Sequence, residues 1–91
     1  MPHMPSERAE PGEILARIWQ DALKVPAVRE TDDFFDLGGN SLQAIQIVSR
    51  VRDAFGVDVT VDVLDRASAF ADFAAAVDAA LAARPAAVRE P

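Results

Sequence analysis

The sequence contains no cysteine, and its 91 residues include only one histidine and one tryptophan. Without cysteine there can be no disulfide and no thiolate metal site. A domain this small, with nothing to staple it, depends on well-packed elements around one modest core. Positive charge is scarce as well. Nine Lys and Arg stand against fifteen Asp and Glu, a net charge of -6. That argues against nucleic acid as a partner, where affinity comes from neutralising phosphates. No apolar run approaches the roughly 20 residues that span a bilayer. The N-terminus also lacks the apolar segment of a signal peptide. The expectation is one cytoplasmic domain, a monomer, with no membrane partner.

Helical periodicity organises what is present. Residues 1–12, MPHMPSERAEPG, carry three prolines and no periodicity, and read as a disordered leader. Ile14, Leu15, Ile18, Trp19, Ala22 and Leu23 recur at helical spacing, which predicts a helix over Glu13 to Lys24, stopped by Pro26. A long loop follows, from Ala27 to Gly39. A second helix is expected over Ser41 to Phe55, with Asn40 as N-cap and Gly56 as stop signal. Its stripe is Ala44, Ile47, Val48, Val51 and Phe55. Val57, Val59 and Val61 alternate with polar residues like a strand, but no second strand exists to pair with them. That segment reads as an extended connector. A short helical turn over Val61 to Asp65 follows, with Thr60 as its cap. Ser68 is expected to cap a last helix ending near Ala82. Residues 84–91 read as a disordered tail, leaving 13–83 as the domain. The fold class is all-α: three main helices and one short one, a small four-helix bundle with a long loop after the first helix.

The chemistry gathers in DDFFDLGGNSLQ, Asp32 to Gln43. Ser41 is not a hydrolase nucleophile. Gly39-Asn40-Ser41-Leu42-Gln43 lacks the final glycine of a nucleophile elbow, and the only histidine, His3, lies in the leader. No Gly-Lys-Ser/Thr follows the glycines, which excludes a P-loop. Asp32, Asp33 and Asp36 have the wrong spacing for a calcium loop, and no metal is expected. They read as a solvated loop face, with Phe34, Phe35 and Trp19 as core. Two readings remain for Ser41, a plain first-turn residue or an attachment point. A helix N-terminus has free N–H groups and tolerates an anion. Gly38 and Gly39 read as positions of unusual backbone angle. Leu42 and Ile45 fall off the buried stripe beside the serine, as a docking patch would. A helical interaction module without any attached group would use the same patch.

The stretch resembles the attachment motif of peptidyl carrier (thiolation) domains of nonribosomal peptide synthetases. Asp32, Phe34, Phe35, Leu37, Gly38, Gly39, Ser41 and Leu42 match that pattern, and the likeness extends over Ile14 to Leu81. The resemblance implies a four-helix carrier bundle that is not itself an enzyme. Ser41 would bear 4'-phosphopantetheine as a covalent cofactor, installed from coenzyme A by a phosphopantetheinyl transferase. Gly39, Asn40 and Leu42 would flank the arm, and Leu42, Ile45 and Gln46 would meet partners. Those partners are an adenylation enzyme that loads the aminoacyl group, then condensation, thioesterase or tailoring enzymes. Acyl carriers of fatty-acid or polyketide type are the alternative. Their motif reads Asp-Ser-Leu and, in fatty-acid carriers, their second helix is strongly acidic. Here Asn40 precedes Ser41, and the helix carries Gln43, Gln46, Arg50 and Arg52 with Asp53 its only acid. The likeness weakens at Leu64-Asp65-Arg66-Ala67-Ser68, where the family has an aromatic and a proline.

Overall fold

The computed structural model describes residues 10–83. The leader to residue 9, with His3, and the tail from residue 84 lie outside the described residues. Four helices follow one another: α1 (Pro11–Leu23), α2 (Ser41–Phe55), α3 (Val61–Arg66) and α4 (Phe70–Ala83). α1 starts earlier than its apolar stripe. Pro11 and Gly12 are helical and not part of a leader, because Pro11 at the first position loses no hydrogen bond there. α1 ends at Lys24, which adopts the left-handed conformation at φ 60 while its N–H bonds to the Gln20 carbonyl.

α1 packs against α2 and α4, and α3 bridges α2 and α4. The apolar stripes meet in one core built from Leu15, Ile18, Trp19, Ile47, Val51, Leu64, Phe73 and Val77 among others. Trp19 is fully buried at its centre. Its ring meets Phe34 at 5.9 Å and Phe70 at 5.0 Å edge-on, and Phe73 at 5.6 Å tilted. Each such pair adds about 0.5–1.5 kcal/mol beyond area burial. The indole Nε1 finds no hydrogen-bond partner among these rings. Arg50 on α2 reaches Asp21 on α1 at 3.2 Å across the surface. Both groups are exposed, so the pair is worth at most about 1 kcal/mol.

The connector behaves as its alternation predicts. Val57 and Val59 are buried, Asp58 and Thr60 are exposed, and no strand forms. Thr60 stands at the N-cap of α3, but its hydroxyl bonds to the Asp62 carboxylate and makes no capping bond. Ser68 is not the cap of α4 either. The helix starts at Phe70, and the Ala69 carbonyl accepts its first N–H, from Phe73. Ser68 instead donates its hydroxyl to Asp33, far back in the loop.

That bond belongs to a larger tie. Asp33 and Ala69 form an isolated antiparallel bridge. Phe34 N–H donates to the Ser68 carbonyl at 2.7 Å, and Phe70 N–H donates to the Asp32 carbonyl at 2.8 Å. The loop before Ser41 is thus anchored to the head of α4 and is not structureless. Two of the three acids are likewise more than a solvated face. Asp32 accepts the Arg29 N–H at 2.8 Å. Asp33 accepts the N–H groups of Phe35 and Asp36 at 2.9 and 3.1 Å. The Ser68 hydroxyl, then the Asp36 and Phe35 amides, hold the Asp33 carboxyl below its ordinary value of 3.8. A lowered folded value means the stabilisation is fully present above the unfolded value and fades as pH falls through the folded one. Asp33→Asn is therefore expected to lower the melting temperature at neutral pH. The gap from wild type should narrow as pH falls through the folded value, where the wild-type carboxyl loses its charge. A gap unchanged in acid would refute the role of the charge.

Candidate functional site

The site is built from the loop upward. Phe34 is buried under the loop, while its neighbour Phe35 is half exposed. The expectation that both are core fails because adjacent residues of one turn point opposite ways. Asp33, Phe34 and Phe35 accept N–H groups from Leu37, Gly39 and Gly38 at 2.9, 2.9 and 3.0 Å, which winds the chain tightly toward the helix. The two glycines answer different needs. Gly38 sits at φ 93, where a side chain is strained. Gly39 has no such angle; a Cβ there would lie 2.4 Å from Phe34 Cζ. Its bare face is filled by the protein's own ring and leaves no opening for a partner's backbone.

Asn40 then closes a capping box. Its Oδ1 accepts the N–H groups of Leu42 at 2.9 Å and Gln43 at 3.2 Å, while Gln43 Oε1 accepts the Asn40 N–H at 3.0 Å. These amides are consequently not free for an anion on Ser41, and what the helix end offers one is its dipole. Asn40→Ala is expected to cost about 1 kcal/mol, and Asn40→Asp only a few tenths, because Asp caps as well as Asn. Urea unfolding checks both, and equal losses would discount the cap.

Ser41 is exposed in the first turn. Leu42 and Ile45 are 61% and 55% exposed, and Gln46 is exposed beside Ile45. Two further apolar residues are exposed against expectation, Phe35, read as core, at 50% and Val61, read as part of the apolar alternation, at 41%. Val61 could have been found, since a valine opening a short helix cannot also continue the buried alternation. A groove of about 360 Å³ runs between the loop, the head of α2 and α3, and Phe34, Phe35, Ser41, Val61, Leu64 and Asp65 are among its walls. Among the described residues there is no group of three or more acids or histidines placed to hold a metal. None of the described helices is long and apolar enough to cross a membrane.

Ser41 thus presents an exposed hydroxyl at the head of a capped helix, within the stretch the sequence singles out. The family described as "Phosphopantetheine attachment site" matches residues 13–77. A linear gramicidin synthase of Brevibacillus parabrevis is 49% identical over 63 residues, covering 69% of this chain and 1% of that protein. Phosphinothricin tripeptide synthetase PhsB of Streptomyces viridochromogenes is 39% identical over 89 residues, 98% of this chain and 7% of that protein. The chain thus spans a small fraction of these curated relatives. Among solved structures, the type-II acyl-carrier-protein BlmI of Streptomyces verticillus superposes with TM-score 0.75 at 30% identity, over 86% of this chain and 99% of that one. A peptidyl carrier protein solved with the phosphopantetheine transferase Sfp and coenzyme A gives TM-score 0.73 at 27% identity, over 77% and 91%. The chain belongs to the phosphopantetheine attachment-site family, as a carrier domain. The cofactor of that family is 4'-phosphopantetheine, held covalently.

Proposed function

We propose that Ser41 is the attachment residue and that the domain carries an aminoacyl or peptidyl group as a thioester in nonribosomal peptide assembly. One observation supports this most. Within the matched stretch, Ser41 is an exposed hydroxyl at a fixed helix head, ringed by exposed apolar side chains. Its hydroxyl would displace adenosine 3',5'-bisphosphate from coenzyme A, forming a phosphodiester as the pyrophosphate bond breaks and the serine proton departs. The arm's thiol then takes the cargo. The base for that transfer belongs to a phosphopantetheinyl transferase, so the domain acts as substrate and not as enzyme. Leu42, Ile45 and Gln46 form the surface that partners meet, joined by Phe35 and Val61. Adenylation, condensation and thioesterase or tailoring enzymes are those partners, in the cytoplasm where coenzyme A is made.

Two features favour the peptidyl over the acyl reading. The named relatives are peptide synthetases, and α2 has no acid in its first turn. A basic partner patch would find little to grip there. The test is intact mass after incubation with coenzyme A, magnesium and a broad-specificity transferase, with fragmentation to locate the modification. A single phosphopantetheine on Ser41 is expected. No gain on folded protein would return the domain to a plain interaction module.

A further inference from the structure

We propose that Ser68 is a positioning residue for partner binding: through Asp33 it holds Phe35 in register with Val61, and so sets the docking surface around Ser41. This rests on the carrier reading above. Three observations carry it. The first is the wiring of Asp33. Its Oδ1 accepts the Ser68 hydroxyl, and its Oδ2 accepts the Phe35 and Asp36 N–H groups at 2.9 and 3.1 Å. One carboxylate thus clips the turn that bears Phe35 to a residue just past the end of α3. The second is what the clip joins. Phe35 and Ser41 line the groove from the loop and α2, while Val61 and Leu64 line it from α3. Phe35 and Val61 are the large exposed apolar residues of the two sides that do not belong to α2. The third is a division of labour. Ser41 is fixed within α2 by the Asn40 and Gln43 box, which involves neither Asp33 nor Ser68. Phe35 has no such box. Its ring meets only that of Phe34, edge-on at 5.1 Å, and its N–H depends on Asp33. Without the Ser68 hydroxyl the backbone bridge between Asp33 and Ala69 still stands, and the loop stays paired. What is lost is the fixed pose of the Asp33 carboxylate, and with it that of Phe35. A partner must then order Phe35 as it binds, which costs affinity and leaves the chemical step alone.

The experiment measures initial rates of loading on the full chain by a broad-specificity phosphopantetheinyl transferase with coenzyme A and magnesium, over a range of carrier concentrations. Ser68→Ala is expected to raise KM for the carrier about 2- to 10-fold, the range one hydrogen bond supports, with kcat within about twofold of wild type. Ser68→Thr keeps a hydroxyl and should restore KM. Asp33→Ala opens the clip from its other end and should raise KM at least as far. The deciding background is Phe35→Ala, a change at an exposed residue outside the core. There Ser68→Ala should raise KM no further, because the side chain through which it acts is gone. An equal rise in both backgrounds would reduce Ser68 to a structural residue and overturn the proposal, as would a fall in kcat at unchanged KM. Either result leaves the carrier reading standing. Failure of the wild type to load, read by intact mass before any rate, would overturn both.

Discussion

Ser41→Ala is expected to abolish phosphopantetheine loading while its unfolding free energy stays within about 0.5 kcal/mol of wild type. Both halves follow from one placement. The serine side chain is exposed and the cap is supplied by Asn40, so the fold loses nothing it uses. The hydroxyl is the only atom of the site that can form the phosphodiester. Residual loading on the variant would move the attachment elsewhere. Loss of loading together with collapse of the fold would show that the serine is structural after all. Intact mass and urea unfolding, run on the same preparations, separate these outcomes.

The second large effect joins Gly39 to Phe34. A methyl at residue 39 would sit 2.4 to 2.6 Å from three atoms of the Phe34 ring. Overpacking of this kind costs about 1–3 kcal/mol. Phe34→Ala empties a buried aromatic site and is expected to cost about 3–5 kcal/mol, much of the stability of so small a domain. Phe34→Leu is milder and keeps the protein measurable. In that background Gly39→Ala should lose most of its penalty, because the ring it strikes is gone. The double-mutant cycle is thus predicted to be non-additive by about 1–3 kcal/mol. Trp19, the single buried tryptophan in contact with Phe34, provides the fluorescence signal. Additive costs would mean that the loop simply shifts to make room. Loading rates on the Gly39 variant add a second reading, since displacement of the loop displaces the hydroxyl of Ser41.

Much of this was legible in the residues. The stripe of α1, the Asn40 cap and the stop at Gly56 are local signals, and each depends on neighbours within about one turn. The connector was legible by elimination, because alternation without a partner strand cannot make a sheet. What escaped was non-local. Asp33 looks like one solvent acid among three until Ser68, 35 residues away, donates to it. Ser68 looks like a helix cap for the same reason, since nothing nearby says that its hydroxyl is wanted elsewhere. Phe34 and Phe35 are identical in type, and only the winding of the turn decides which goes inside. Gly39 was read as a backbone requirement because the ring above it is invisible in the sequence. Of the site itself, the serine, its cap and two of its exposed apolar neighbours could be read. The opposite wall of the groove could not, because α3 reaches it only through the fold.

The bridge between Asp33 and Ala69 also sets how much of the chain the serine needs. The loop that presents Ser41 is fastened by residues that lie beyond both α2 and α3 in the chain, at the head of α4. A chain truncated after Arg66 holds the whole stretch from Asp32 to Gln43 and the helix that bears Ser41, but lacks the Ser68 hydroxyl and the Phe70 amide that fasten the loop. It also lacks the two α4 rings that pack on Trp19. Such a fragment would present its serine on an unfastened loop, so the short stretch that bears the hydroxyl cannot be cut free of the last helix without losing its placement.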